Sequence, residues 1–141
     1  MEARLSEVGV REVAPCVLSP APAATPSFVA TVGWLDSGVP LVSVSGELDL
    51  ASAPALEESL FGLCDAPAGA VIVDLEKCSF IDLRGLRVLL TAQEQLERSK
   101  QPLVLVVGKP TLLRVFQVTR VDVLFHICPT LGEAIDGYGH P

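Results

Sequence analysis

The sequence predicts an α/β fold, in which an N-terminal hairpin leads into a mixed, mostly parallel central sheet with about four helices. Two valine-rich runs separated by turn residues predict the hairpin, and continuous apolar runs further along are typical of central strands. These runs alternate with segments of helical periodicity, which implies βαβ crossovers between parallel strands. A chain of 141 residues is long enough for one such domain and its core.

Residues 1–26 are predicted to form a flexible tail rich in proline and alanine, and residues 27–141 the folded domain. The stretch "APCVLSPAPAATPS" contains four prolines, which cannot donate the backbone hydrogen bonds of regular structure. Its small side chains also offer little apolar surface to bury. The domain is therefore expected to begin near Ser27.

The run "FVATVGWLDSGVPLVSVSGELDL" predicts two strands joined by a turn, because "LDSGVP" supplies turn residues between valine-rich halves. The alternation of valine and serine from Val42 to Ser45 fits a strand with one buried face. The following segment predicts a helix, with Ser52 as a candidate N-cap and Pro54 in the first turn.

The rest of the chain alternates between the two kinds of element. "AVIVDL" and "PLVLVVG" are continuous apolar runs that predict central strands, and "DVLFHIC" predicts a last strand. Between and after them, helical spacing predicts three more helices. The buried stripe of the second helix is expected at Leu86, Leu89, Leu90 and Leu96, and that of the third at Leu112, Leu113 and Phe116. The fourth helix, "TLGEAIDGY", is expected to be capped by Thr130.

The composition excludes several classes of function. Ten Lys and Arg against seventeen Asp and Glu give a net charge of −7, which argues against nucleic-acid binding, since that binding depends on neutralising phosphates. The longest apolar runs have the length of strands, so direct membrane insertion is not expected. The N-terminus shows no signal-peptide pattern, and a cytoplasmic location is expected.

No metal site, cofactor or enzymatic activity is expected. The sequence shows no nucleophile–base pair, no glycine-rich phosphate loop and no carboxylate dyad at a convincing spacing. The four cysteines lie far apart, without a CxxC pair, and are interpreted as small buried hydrophobes. Cys78 is kept as a candidate for redox regulation because it lies just before a distinctive turn.

That turn, Ile81 to Gly85, is called the corner below. Asp82 is well placed to cap a helix, and Gly85 allows a close backbone approach. Arg84 and Arg87 oppose the helix dipole, so they are either tolerated solvent residues or part of a contact surface. Leu83 either packs into the core or stands out as an apolar contact, and the sequence leaves both possibilities open.

The segments "VSGELDLASAPALEESL" and "VIVDLEKCSFIDLRGLRVLL" resemble the STAS domain of bacterial anti-sigma factor antagonists. In that family a "GELD" strand end, a helix, a "VDL" strand and an "FIDSSG" or "FIDSTG" turn occur in this order. The resemblance runs from about Phe28 to Tyr138 and implies a STAS-like fold. It also implies a protein-binding regulator of transcription, of the kind linked to stress responses.

The resemblance implies a partner as well, an anti-sigma factor that binds ATP and acts as a kinase. In the family, this kinase phosphorylates the first serine after the aspartate. The unmodified antagonist binds the anti-sigma factor and releases the sigma factor, whereas the modified antagonist dissociates. A phosphate at a helix N-terminus is stabilised locally and adds charge to an interface, which fits that scheme.

The sequence departs from the family pattern at the phosphoacceptor. Asp82 and Gly85 match the motif, but Leu83 stands where the family has serine, and leucine has no hydroxyl group. We therefore expect binding without phosphorylation control at position 83. Ser79 is the nearest hydroxyl and is kept, with Cys78, as a candidate regulatory residue.

The predicted contact surface combines two segments, and its residues are Glu47, Asp49, Ser52, Asp82, Leu83, Arg84, Gly85 and Arg87. Glu47 and Asp49 are interpreted either as acidic contacts or as solvated turn residues. The alternative function is a non-switching STAS scaffold, or a subunit of a stress-signalling or transporter-associated complex. The oligomeric state is left open.

Overall fold

The computed structural model describes residues 11–16, 28–63 and 69–139, and for residues 11–16 only the backbone. Its strands are β1 (Arg11–Cys16), β2 (Phe28–Trp34), β3 (Pro40–Leu48), β4 (Val71–Ile81), β5 (Leu103–Val106) and β6 (His126–Cys128). Its α-helices are α1 (Ala53–Phe61), α2 (Leu83–Arg98), α3 (Pro110–Val118) and α4 (Leu131–Tyr138), and a 3-10 turn covers Asp122–Leu124.

The six strands form one sheet in the order β1-β2-β3-β4-β5-β6. β1, β2 and β3 pair antiparallel, whereas β3, β4, β5 and β6 pair parallel. Each parallel pair is joined through a helix, as expected for βαβ units. The predicted α/β class, the hairpin and the mixed, mostly parallel sheet are confirmed.

One strand lies inside the predicted tail. Arg11–Cys16 pairs with β2, and the pairing is irregular between Glu12 and Pro15. The expectation that the prolines block pairing is therefore wrong for this segment. Its strand is at the edge of the sheet, where the missing N–H of a proline can be tolerated at an irregularity. Residues 1–10 and 17–26 of the predicted tail lie outside the described residues.

Two apolar cores cover the two faces of the sheet. The larger core packs α1, α2 and α3 against one face through residues such as Leu56, Leu89 and Phe116. The smaller core packs α4 against the other face through Ile72 and Ile135. The central strands β4 and β5 contribute to both cores, which explains why their sequences are continuously apolar.

The helices follow the predicted pattern, with small differences. Leu86, Leu89, Leu96, Leu112 and Phe116 are buried, whereas Leu90 and Leu113 are only half-buried. The Thr130 hydroxyl caps α4 by accepting a hydrogen bond from the Glu133 backbone N–H at 3.2 Å.

The predicted strand "DVLFHIC" is wrong for its first half. Residues 122–124 form the 3-10 turn, and only His126–Cys128 joins the sheet. Val123 and Leu124 are exposed, whereas Phe125 is buried with its ring edge-to-face against Phe116, at a centroid distance of 5.8 Å. This ring contact holds the chain against α3 before the strand can begin.

The fold brings the two predicted site segments together at the carboxyl ends of β3 and β4. In the parallel pairing, Glu47 lies opposite Phe80 and Leu48 lies opposite Ile81. The Asp82 backbone N–H donates a hydrogen bond to the Leu48 carbonyl at 3.1 Å. The loop from β3 to α1 and the corner are therefore neighbours at one edge of the sheet.

Candidate partner-binding surface at the carboxyl ends of β3 and β4

The corner is fixed by a helix cap. Asp82 has extended backbone angles, and its Oδ1 accepts hydrogen bonds from the N–H groups of Arg84 at 2.9 Å and Gly85 at 3.0 Å. Such a cap stabilises a helix by about 1 kcal/mol. The predicted capping role of Asp82 is confirmed, and α2 begins at Leu83.

Gly85 allows the first turn of α2 to lie against the ends of both strands. A Cβ atom at this position would lie 2.6 Å from Leu48 Cγ and 3.0 Å from Ile81 Cγ1. Leu48 is fully buried and cannot move aside easily. Glycine is therefore required here by packing, and it sets the position of the whole corner.

Leu83 projects into solvent, with 73% of its surface exposed. This decides between the two possibilities that the sequence leaves open, since the side chain does not enter the core. Leu50 and Phe80, on the two other segments that meet at this edge, are also exposed apolar residues. Several exposed apolar side chains at one edge are typical of an interaction surface.

Two arginines in the first turns of α2, Arg84 and Arg87, are exposed. Within the described parts of the chain, neither the Arg84 nor the Arg87 guanidinium forms a hydrogen bond or an ion pair. Both lie in the first turns of α2, where the helix dipole disfavours a cation by some tenths of a kcal/mol. Both are free to contact an anionic group of a partner.

The loop from β3 to α1 is closed by internal hydrogen bonds. Asp49 Oδ1 accepts hydrogen bonds from the N–H groups of Ala51 at 3.0 Å and Ser52 at 3.1 Å. The Ser52 hydroxyl donates to the Glu47 carbonyl at 2.7 Å and accepts from the Asp49 N–H at 2.9 Å. The polar groups of Asp49 and Ser52 are thus used within the loop.

Ser52 differs from its predicted role as a cap. Its hydroxyl makes no capping bond to α1, because it is turned back toward Glu47, and the residue is buried. In this position Ser52 can hold the loop in place but offers little surface to a partner. Of the loop residues predicted at the contact surface, Glu47 is exposed and Asp49 is half-buried.

The predicted regulatory residues have contrasting environments. Cys78 is fully buried, and burial raises the pKa of its thiol, against smaller opposing effects such as the positive charge of Lys109. Both features disfavour the thiolate through which cysteines are oxidised. Ser79 is exposed, and its hydroxyl lies 3.4 Å from the Gly46 carbonyl, on β4 and outside the corner.

Sequence reasoning missed a groove beside the corner. It has a volume of about 430 Å³ and lies between α2 and the residues that follow α3. We call it the α2–α3 groove, and it is lined by Leu83, Arg84, Leu86, Arg87, Leu90, Thr119 and Val121. Thr119 and Val121 carried no signal in the sequence, because their contact with α2 depends on the packing of distant segments.

The described residues hold neither a candidate metal site nor a candidate membrane-spanning helix. No group of three or more His, Cys, Asp and Glu residues within the described ranges could hold a metal ion. Among the described helices, none combines the length and apolar character needed to cross a membrane. The corner and the first turns of α2 present the exposed Leu83 side chain and two exposed arginines at the start of a capped helix.

Three comparisons with known proteins agree on one family. The model of the STAS domain family matches residues 35–134. The chain is 31% identical over 101 residues to the anti-sigma-F factor antagonist RsfB of Mycobacterium tuberculosis (strain ATCC 25618 / H37Rv), covering 72% of this chain and 82% of the relative. It is 29% identical over 86 residues to the anti-sigma-B factor antagonist of Staphylococcus aureus (strain NCTC 8325 / PS 47), covering 61% and 80%.

A solved structure is similar over most of the fold. The crystal structure of an anti-sigma factor antagonist from Mycobacterium paratuberculosis superimposes with a TM-score of 0.71 at 30% sequence identity. The match covers 83% of this chain and 99% of that chain. The described fold is therefore shared with this antagonist.

Proposed function

Because the chain belongs to the STAS domain family, we propose that it acts as an anti-sigma factor antagonist. In this role it binds an anti-sigma factor of the ATP-binding kinase type and frees a sigma factor for transcription. It works by binding and not by catalysis, in the cytoplasm, in a stress-linked regulatory system. The names of the curated relatives support the class of partner.

The observation that carries the proposal is the capped corner with its exposed Leu83. The cap and Gly85 fix the start of α2, so the backbone of the contact residues needs little ordering on binding. Burial of an exposed leucine contributes about 1.5–3 kcal/mol when it is complete. Arg84 and Arg87 add unpaired charges that can select a partner by electrostatic complementarity.

We propose that binding is not switched off by phosphorylation at position 83. The corner retains the helix N-terminus that would stabilise a phosphate, but Leu83 lacks the oxygen that would accept it. Leucine also carries no negative charge, so it resembles the unmodified state. Regulation then depends on the amount of protein or on another residue. The two candidate regulatory residues are Ser79, which is exposed, and Cys78, which is buried.

Native mass spectrometry tests this function directly. The full chain is mixed with candidate ATP-binding anti-sigma factors from its own organism, in the presence of Mg-ATP. The expected result is a complex that contains the unmodified chain. A phosphorylated and dissociated chain would contradict the absence of a switch, and no complex with any candidate would favour the scaffold alternative.

A matched pair of variants sharpens the test. Leu83→Ser restores a hydroxyl at the family's acceptor position, and Leu83→Ala shortens the side chain without adding one. With an active kinase partner, we expect phosphate on the serine variant alone, followed by its release from the complex. Equal behaviour of the two variants would contradict the proposed importance of position 83.

A further inference from the structure

We propose that the α2–α3 groove receives an acidic amphipathic helix of a partner protein. This goes beyond the proposed function, because the far wall of the groove, Thr119 and Val121, includes none of the residues predicted at the corner. It also does not require that the partner be an anti-sigma factor. The inference rests on the shape, apolar lining and charge of the groove.

The lining of the groove is mainly apolar and incompletely covered. Leu83 is exposed, and Leu90 and Val121 are half-buried. Close in sequence to Thr119 and Val121, at the end of α3 and in the 3-10 turn, Val118 is 71% exposed and Val123 is 81% exposed. An incompletely covered apolar lining is typical of a docking surface.

The lining of the groove carries two cations. Arg84 and Arg87 belong to the lining on the α2 side, and Arg120 is an exposed residue that lies between Thr119 and Val121 in the chain. Among the described residues, none of the three guanidiniums forms an ion pair, although Asp122 follows Val121 directly. The chain as a whole carries a net charge of −7, whereas both charged residues of the lining are arginines.

An amphipathic helix fits these features. On α2, the lining residues Leu83, Leu86, Arg87 and Leu90 follow helical spacing along one side of the groove. A partner helix lying beside them would place apolar residues at i, i+3, i+4 and i+7 against the lining. Carboxylates on its flanks could pair with the arginines, which bind carboxylates through two parallel hydrogen bonds.

An NMR titration of the full, ¹⁵N-labelled chain tests the proposal. The probe is a synthetic helical peptide with leucines at i, i+3, i+4 and i+7 and flanking glutamates, and the control peptide has lysine at each glutamate. Amide shifts are expected at Leu86, Leu90, Thr119 and Val121 with the acidic peptide only. Shifts elsewhere, no shifts, or equal shifts with both peptides would overturn the proposal.

Two variants separate charge from folding. Arg87→Glu and Arg120→Gly are each expected to weaken the acidic peptide about fivefold or more, the effect of losing a charge contact. Arg120→Gly should also unfold at the same temperature or higher, because glycine suits its backbone angles. Unchanged peptide affinity in both variants would overturn the proposal. Amide shifts at the groove that grow with protein concentration, without peptide, would also overturn it, because they would show that a second copy of the chain is the occupant.

The same samples distinguish this proposal from the proposed function. One outcome is that the chain binds an anti-sigma factor in a way that depends on Leu83 but not on Arg120, and binds no peptide. This would support the proposed function and overturn the proposal that the groove binds an acidic helix. Peptide bound in the groove, with no anti-sigma factor bound by the chain, would support the groove and contradict the proposed function.

Discussion

The two segments of the predicted contact surface differ in how their polar groups are used. In the loop from β3 to α1, Asp49 and Ser52 direct their side chains inward and bond to the loop itself. At the corner and in the first turns of α2, the Arg84 and Arg87 guanidiniums have no hydrogen bond or ion pair within the described part of the chain, whereas Asp82 is used internally, as a cap. Two neighbouring segments at the carboxyl ends of β3 and β4 therefore have different roles. The loop supports the local structure, and the corner provides the contact residues.

The largest expected effect comes from the residue on which the corner is built. Gly85→Ala places a methyl group against Leu48 and Ile81, and we expect the free energy of unfolding to fall by about 1–3 kcal/mol. Thermal or urea unfolding measures this change. The matched control is Gly137→Ala in α4, where a Cβ meets nothing within 4 Å.

The control should be neutral or stabilising, by up to about 1 kcal/mol, because alanine favours a helix. If both variants lose stability equally, the close approach at Gly85 does not hold the corner in place.

The next effect concerns affinity and not stability. Leu83→Asp and Arg84→Glu are each expected to weaken binding to the anti-sigma factor about tenfold or more, since both place negative charge at the contact. Their free energy of unfolding should change by no more than about 0.5 kcal/mol, as is usual for exposed residues. Isothermal titration calorimetry and thermal unfolding measure the two quantities.

Glu94→Lys, at an exposed position further along α2, serves as the control for a change of charge. Its affinity should stay close to that of the unaltered chain. Intact affinity in the Leu83 and Arg84 variants would remove the corner from the contact surface.

A smaller effect tests the loop as a support. Ser52→Ala removes the hydroxyl that bonds to the Glu47 carbonyl, and we expect a loss of about 1 kcal/mol in the free energy of unfolding. Glu47→Gln, at the exposed neighbour, should leave stability nearly unchanged. Chemical unfolding of the two variants side by side checks the contrast, and an unaffected Ser52→Ala variant would show that the loop needs no such bond.

The smallest effect extends the comparison to Asp74, a half-buried carboxyl on β4. Burial raises the pKa of Asp74 above its ordinary value of 3.8, outweighing the hydrogen bond from the Glu76 N–H. The folded state then binds a proton more readily than the unfolded state. This favours folding below the ordinary pKa, and the benefit is lost as pH rises through the raised pKa.

Asp74→Asn should therefore be slightly more stable than the unaltered chain at pH 7, with the difference shrinking toward pH 3. Thermal unfolding at both pH values measures it, with Asp36→Asn as a control at an exposed turn position. A stability difference that does not depend on pH would contradict the role given to burial.

Much of the fold could be predicted because its signals are local. The hairpin, the buried stripe of α2 and the caps at Asp82 and Thr130 depend on residues a few positions apart. β1 could not be predicted from the proline content, because a proline is tolerated in a strand at the edge of a sheet, and the sequence does not show that this segment is the edge strand. The start of β6 was misplaced because the ring contact of Phe125 with Phe116 is a tertiary one.

The site was predictable to a lesser degree. The sequence located the corner, but Ser52 was interpreted as a cap, since a serine before a helix usually caps it. In the fold, the hydroxyl instead meets the Glu47 carbonyl at the end of β3. Thr119 and Val121 were missed altogether, because nothing local marks residues that face a helix from another part of the chain.

The sequence by itself determined the order of strands and helices, the capped start of α2 and the leucine at the position where the family pattern has serine. Periodicity, capping and side-chain chemistry are properties of short segments, and they can be read without a structure. The tertiary structure alone decided which side chains are free. Leu83 is exposed, Ser52 is buried and Val121 lines a groove because of the elements that pack around them. Exposure and hydrogen-bond partners are properties of that packing.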